Sequence, residues 1–262
     1  VPFGSQMDML KIVPQMVRLG SHRTVYGMAK KYVKDEKLRT VLSFHPLLVG
    51  GNPFSTTSIY ALILFLERKW GVYFAMGGTG ALVTGLVRLI EGQGNSIRLN
   101  ETVSELVMAE RGKTPRAAGV KLEHGEVIDA DLVVSNADAA WTYRHLVPSR
   151  YRKRWTDKKI DRARYSMSLF GWYFGTDRKY DDVAHHTILL GPRYKGLLDD
   201  IFERKVLADD FSLYLHRPTT TEPSMAPEGC DAFSVHSPDP HQDTGVDWEE
   251  QSEPNRKQVE EY

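Results

Sequence analysis

Few side chains in this sequence stand in patterns that could do chemistry, and the pair His185-His186 is the first to weigh. Adjacent imidazoles suggest a metal ion. Neighbouring residues on a strand project to opposite faces, however, and no Cys or carboxylate cluster stands near at ligand spacing, so the sequence predicts no metal site. Gly77-Gly78-Thr79-Gly80 invites a phosphate loop. The spacing refuses it: a third glycine is needed where Val83 stands, and no Gly-Lys-Ser/Thr follows. These glycines read as a strand-to-helix turn with close packing. His45, alone on an apolar helix face, reads as a satisfied core residue. The single cysteine, Cys230, can form no internal disulfide, which fits a structural thiol in a reducing compartment.

The elements that must position these groups start with helices. Met9, Leu10, Val13 and Val17, then Val25, Met28, Ala29, Tyr32 and Val33, repeat at helical spacing over residues 7–40, which predicts two or three short helices, with Gly20 as a stop and Ser21 as a cap. Lys30, Lys31, Lys34 and Lys37 lie on a polar face read as solvated. An apolar helix over 38–49, kinked or ended early by Pro46 and closed by Gly50-Gly51-Asn52-Pro53, leads to a second one over 58–69 with a cap in 55–57. Residues 72–76 read as a short strand before a helix over 81–91. Further strands are expected at 96–99, 103–107 and 130–135, with a hairpin of 117–122 and 127–128 around His124-Gly125. That order is an α/β nucleotide-binding layer whose first unit is missing. Residues 139–159 read as helical and basic. YSMSLFGWYFGT, 165–176, alternates as a strand with apolar groups on both faces and is expected to be covered on both sides. Strands at 185–190 and 211–216, a helix at 194–202 and an acidic helix from Val246 complete the pattern, and a sheet of this kind could wall an apolar cavity.

Composition sets outer bounds. The 262 residues are 41% hydrophobic, and 34 basic side chains balance 34 acidic ones, which leaves no basic footprint for nucleic acid. The opening VPFGSQMDML shows no basic region followed by an apolar one, so no signal peptide is expected. The longest apolar run, residues 59–66, is far shorter than the roughly 20 residues that span a bilayer. Apolar helix surface lying in the membrane interface stays open.

At LSFHPLLVGGNPFSTTSIYALI, WGVYFAMGGTGALVTGLVRLI, VVSNADAAWTYRHL, AHHTILLGPRYKGLLDDIF and DFSLYLHRPTTTEPSMAPEGC, the chain closely resembles the bacterial and fungal phytoene desaturases. These are flavin-dependent carotenoid desaturases of the amine-oxidase superfamily. The resemblance covers residues 1–237. It implies an α/β fold of the α+β kind: a helical cap facing membrane and substrate, 1–72, the return segment of an FAD-binding Rossmann-like domain, 73–140, and a sheet-based substrate domain, 141–262. The family's N-terminal G-x-G-x-x-G and its second glycine-rich flavin motif do not occur here, so the resemblance implies the central part of a longer enzyme, inactive alone.

What else the resemblance implies concerns the reaction. Double bonds are introduced into phytoene, toward neurosporene or lycopene, by hydride transfer to FAD, with quinone or oxygen as electron acceptor. The Val103 backbone corresponds to the position that meets the adenine of FAD. Asp8 is the carboxylate that could serve as general base in removing a proton, although capping of a helix start is the preferred reading. Arg68 and His45 are weaker candidates. The expected partners are an apolar carotene and a membrane surface, and the expected location is cytoplasmic and peripherally membrane-associated. A carotenoid ketolase or isomerase on the same scaffold, or a non-catalytic lipid-binding fragment, are the alternatives.

Overall fold

The computed structural model describes residues 5–110 and 114–261. Two compact units make up the chain. One comprises the residues up to Ala81 together with those from Ser166 on; the other is Leu82–Tyr165. The expected spans 1–72, 73–140 and 141–262 were drawn on the family scheme; the units divide at Ala81/Leu82 and Tyr165/Ser166.

In the first unit, capping chemistry sets the helices. In α1 (Gln6–Leu19), the Ser5 hydroxyl accepts the Asp8 N–H, and Gly20, at φ +80°, closes the other end. Thr24, rather than Ser21, caps α2 (Val25–Tyr32), and Asp35 caps α3 (Glu36–Ser43). Pro46 then permits only a short 3-10 turn, His45–Val49, so the apolar helix expected over 38–49 ends early at this proline, one of the two outcomes the sequence allows. Gly50 follows at φ +74°, and a Cβ there would meet the Ser166 Cβ at 2.7 Å. The loop beyond is pinned to the α1–α2 turn: the Thr57 hydroxyl donates to the Ser21 carbonyl (2.6 Å) and Ser58 to the Gly20 carbonyl (2.9 Å). A 3-10 turn at Ser58–Ala61 and α4 (Leu62–Trp70) complete the helical part.

Helix α5 (Gly78–Gly92) starts at the glycine turn. The second unit also holds an antiparallel hairpin sheet of β1 (Val103–Ala109), β2 (Arg116–Leu122) and β3 (Val127–Asp129), in that order. The hairpin around His124-Gly125 forms where the sequence places it. Residues 139–159 do not form one helix; short turns of α6 (Ala139–Trp141) and α7 (Asp157–Asp161) flank a break at Pro148. The strands expected at 72–76, 96–99 and 130–135 do not form as strands of any sheet among the described residues. A strand forms only by bonding along an edge, and of these segments only Ala130 reaches one, its N–H donating to the Ala118 carbonyl of β2 at 2.8 Å.

A four-stranded antiparallel sheet organises the first unit, in the order β4-β7-β6-β5: β4 (Ser168–Thr176), β5 (His186–Leu189), β6 (Leu213–His216) and β7 (Asp231–Asp239). The central strand β7 is the one the sequence reading missed, because Asp231, Ser234, Ser237 and Asp239 make it look polar although all four are buried. One sheet face carries Phe170, Trp172, Phe174, Leu213, Leu215 and Val235 and packs with Phe211 and with Val259 of α9 (Trp248–Glu261). A second core joins α8 (Tyr194–Asp199) to Phe44, Leu47 and Phe54. Strand β4 is covered on one side only: its other face, with Leu169 and Tyr173, is exposed, which corrects the expectation of a strand buried on both sides.

Candidate functional site

The uncovered sheet face is the candidate site. In antiparallel pairing, residues opposite one another share a face. The pairs His186–His216, Ile188–Tyr214, Tyr214–His236 and His216–Ser234 therefore bring Ile188, Tyr214, His236 and the two histidines His186 and His216 to one side. Leu169 and Tyr173 of β4 lie on the same side.

Two regions divide that face. At one end a cleft of about 280 Å³ lies between the sheet residues Leu169, Ile188 and Tyr214 and the Phe44, Leu47 and Leu48 side chains at the end of α3 and in the turn after it. Its lining is nearly all apolar; Ser212, Tyr214 and His236 bring the few polar groups. Tyr194 also lines it, and burial raises its phenol pKa and keeps it neutral. The cleft can hold a chain of carbon atoms and exclude water, and it offers no charge to orient one.

At the other end stands a histidine cluster. His185 Nε2 lies 2.9 Å from His216 Nε2, and one ring nitrogen from each of His185, His186 and His216 falls within 4.8 Å of the others. The sequence argument that His185 and His186 point apart is corrected here: His185 precedes the start of β5, so strand alternation does not separate it, and the two ring centroids are 4.4 Å apart. Phe74 packs edge-on against His185. Burial, then the neighbouring imidazoles, hold His216 down at about 4. Burial likewise lowers His185, His186 and His236, so the cluster is neutral at physiological pH. Tyr214 joins the two regions, lining the cleft while its hydroxyl sits 2.6 Å from His186 Nδ1.

The residues singled out from sequence fall elsewhere. Asp8 sits in the first turn of α1, where its carboxylate accepts the Ser5 hydroxyl and pairs with Lys11 at 3.0 Å. Lys11, then Ser5, lowers its pKa against a smaller opposing effect of burial, so its contacts are those of a helix cap and an ion pair and leave it a weaker base. It does not line the cleft. His45 is a core residue, as read, with Nε2 3.2 Å from Glu67. Arg68 is exposed at the end of α4. Val103 opens β1, an edge strand of its sheet, with one backbone edge outside the pairing.

Does this chain fit a flavin dinucleotide? Gly77 and Gly78, at φ +83° and +71°, form the turn expected of them. The Gly77 N–H donates to the Glu222 carboxylate at 2.6 Å, so that helix start already holds an anion. With no G-x-G-x-x-G in the sequence, the residues of this chain do not build a pyrophosphate cradle. Val103 offers at most a backbone edge.

Comparison with known proteins places these observations. The family model described as flavin containing amine oxidoreductase matches residues 4–245. The chain is 47% identical to the neurosporene-forming phytoene desaturase of Rhodobacter capsulatus over 98% of its own length and 50% of the relative's. It is 47% identical to the lycopene-forming phytoene desaturase of Pantoea ananas over 95% of its length and 50% of the relative's. Against the zeta-carotene-forming phytoene desaturase of Myxococcus xanthus the identity is 35%, over 91% of this chain and 44% of that one. The chain thus spans about half the length of these relatives. Among solved structures, an oxidoreductase from Methanosarcina mazei superposes with a TM-score of 0.61 at 19% identity, over 98% of this chain and 56% of that one. A Pyrococcus furiosus protein gives 0.62 at 16%, over 91% of this chain and 54% of that one. These two likenesses support the mixed helix-and-sheet fold.

Proposed function

The chain belongs to the flavin containing amine oxidoreductase family, and on that footing we propose that it is part of an FAD-dependent desaturase of carotenoid biosynthesis that acts on phytoene. The observation that carries this reading is near-half identity to phytoene desaturases along almost the whole chain. The apolar cleft supports it. Phytoene is a long hydrocarbon with no polar handle, so recognition rests on shape and dryness rather than on charge. At about 280 Å³ the cleft takes one part of such a molecule, not its whole length.

Desaturation removes a hydride and a proton from neighbouring carbons and leaves a double bond. In the complete enzyme a flavin would supply the hydride acceptor, with quinone or oxygen as the final oxidant. This chain contributes the apolar surface that positions the hydrocarbon and excludes water. Asp8 as the proton acceptor is the reading least favoured by its own contacts, since its ion pair with Lys11 stabilises the charged, already deprotonated form without making it a stronger base.

A cytoplasmic enzyme lying on a membrane is the setting we propose. Exposed Leu10, Val13 and Val17 on α1 and Leu62 and Phe65 on α4 support it, since a substrate of this kind is dissolved in lipid. Expression of the complete gene, with chromatography of products from phytoene and from later carotenes, is the test. New conjugated double bonds are expected. Products that are only oxygenated or only isomerised would move the assignment to a ketolase or an isomerase. The 262-residue chain alone is expected to bind carotene and to purify without flavin; one flavin per chain would overturn the missing-cradle argument.

A further inference from the structure

We propose that His185, His186 and His216 form a binding site for one borderline divalent transition-metal ion, of the zinc, cobalt, nickel or copper class. Three observations converge on it. Each histidine already has a hydroxyl partner at Nδ1: Thr221 Oγ1 at 2.5 Å from His185, Tyr214 OH at 2.6 Å from His186, and Ser234 Oγ at a longer 3.5 Å from His216. A hydroxyl that accepts from Nδ1–H fixes the tautomer with the lone pair on Nε2, which is how outer partners orient histidines at metal centres. One ring nitrogen of each imidazole then lies within 4.8 Å of the other two, and the near-parallel His186 and His216 rings have to tilt for their lone pairs to meet at one ion.

The second observation is the spacing. Metal–nitrogen distances of about 2.0–2.1 Å in a tetrahedral site put ligand nitrogens roughly 3.3 Å apart. The ring nitrogens here span 2.9 Å, for His185 Nε2 to His216 Nε2, up to 4.8 Å across the three. An ion between them needs shifts well under a side-chain rotamer change. In the metal-free protein one of the two Nε2 atoms carries its ring's proton and donates to the other at 2.9 Å, while that ring's Nδ1 accepts from its hydroxyl partner; an ion between them requires this proton to move to Nδ1, with the hydroxyl turned to accept it.

The third is the ligand type and access. Imidazole nitrogens with no thiolate and no carboxylate in the cluster select borderline transition ions over calcium or magnesium. His186 is exposed while His185 and His216 are half-buried, so an ion can enter from solvent, and three ligands leave a fourth position for water. Because Tyr214 both orients His186 and lines the apolar cleft, a bound ion would also fix one wall residue of that cleft. The site stands on this geometry alone and does not depend on the desaturase reading.

Titration of the tag-free, chelator-treated chain with cobalt(II), followed by its visible ligand-field bands and by calorimetry, tests the proposal. Saturation at one ion per chain is expected, with affinity that weakens as pH falls into the acid range where the imidazoles take up protons. His216→Ala should weaken binding at least a hundredfold, and exposed His22→Ala should leave it unchanged. His216 lies within a strand and its loss could unfold the sheet, so the surface variant Thr221→Val serves as an independent arm. Removing an outer partner should weaken binding about tenfold to a hundredfold. Absence of four-coordinate bands, or cobalt binding that neither Thr221→Val nor His216→Ala weakens, would overturn the site.

Discussion

The Asp231 carboxylate shows how a buried charge is kept in this protein. Arg217 Nε donates to it at 2.8 Å, Thr219 Oγ1 at 2.6 Å and the Tyr180 N–H at 2.8 Å, while the remaining Arg217 nitrogens reach Val183 and Asp181. Burial pushes its pKa up, but these donors outweigh burial and leave it lowered. A lowered folded-state pKa means that this stability is present above the ordinary carboxylate range and is lost as pH falls through the folded value. Removing the carboxylate strands the Arg217 charge, so Asp231→Ala should cost about 3–5 kcal/mol in urea unfolding; a loss under about 1 kcal/mol would show the network to be dispensable. Asp239 runs the other way. Buried at the end of β7, where the Asn255 amide donates at 3.2 Å, it is pushed up to about 7, chiefly by burial. Its folded state therefore holds the proton more tightly, and its contribution is lost as pH rises from the ordinary 3.8 towards about 7. Asp239→Asn removes this titration. Its melting temperature should exceed wild type at mildly alkaline pH and converge with it in acid; equal melting at both would show that Asp239 ionises normally.

At the scale of elements, the two faces of β4 carry different work, and paired substitutions separate them. Phe170 packs into the core beneath the sheet, so Phe170→Asp places an unpaired charge there and should destabilise by several kcal/mol. Leu169, on the opposite face and 59% exposed, lines the cleft. Leu169→Asp should melt close to wild type yet weaken carotene binding about tenfold or more. Loss of folding in Leu169→Asp would show that this face is packed after all. The turn after His45–Val49 holds the opposite cleft wall. Gly50→Ala combines the positive φ with a 2.7 Å contact to Ser166 and should cost roughly 1–3 kcal/mol in thermal unfolding. A neutral Gly50→Ala would indicate that Ser166 gives way freely.

Over the whole molecule, apolar surface is the feature that still has to be covered. Leu10, Val13 and Val17 form a stripe along α1, spaced by three and four residues, and all are exposed. No helix among the described residues is long and apolar enough to cross a membrane, so the stripe suits lying in an interface. Flotation with liposomes should carry the chain upward, and Leu10→Glu with Val13→Glu should lower partitioning about tenfold; equal flotation would place the contact elsewhere. Tyr73, Leu132 and Val134 are also exposed, on segments that form no sheet strand among the described residues. Unpaired apolar segments of this kind invite association, and the isolated chain should bind a hydrophobic dye more strongly than the complete protein does.

The sequence by itself determined what depends on near neighbours. Helix spacing, the caps at Thr57 and Gly20, the break at Gly50-Gly51, the hairpin at His124-Gly125 and the failed phosphate-loop spacing are all set within a few residues, and the five motifs marked the family. Only the tertiary structure decided what depends on register. The residues at 72–76 and 130–135 have strand-like side chains, but a strand forms only against a partner edge. Strand β7 looks polar in sequence, yet its carboxylates Asp231 and Asp239 can be buried because Arg217, Thr219 and Asn255, 12 to 16 residues away, donate to them. His186, His216 and His236 stand up to 50 residues apart along the chain and share one face because antiparallel pairing aligns their strands, and His185 joins them from just before β5. Side-chain alternation assigns each residue to one side of its own strand, and it takes the pairing between strands to say which sides are the same.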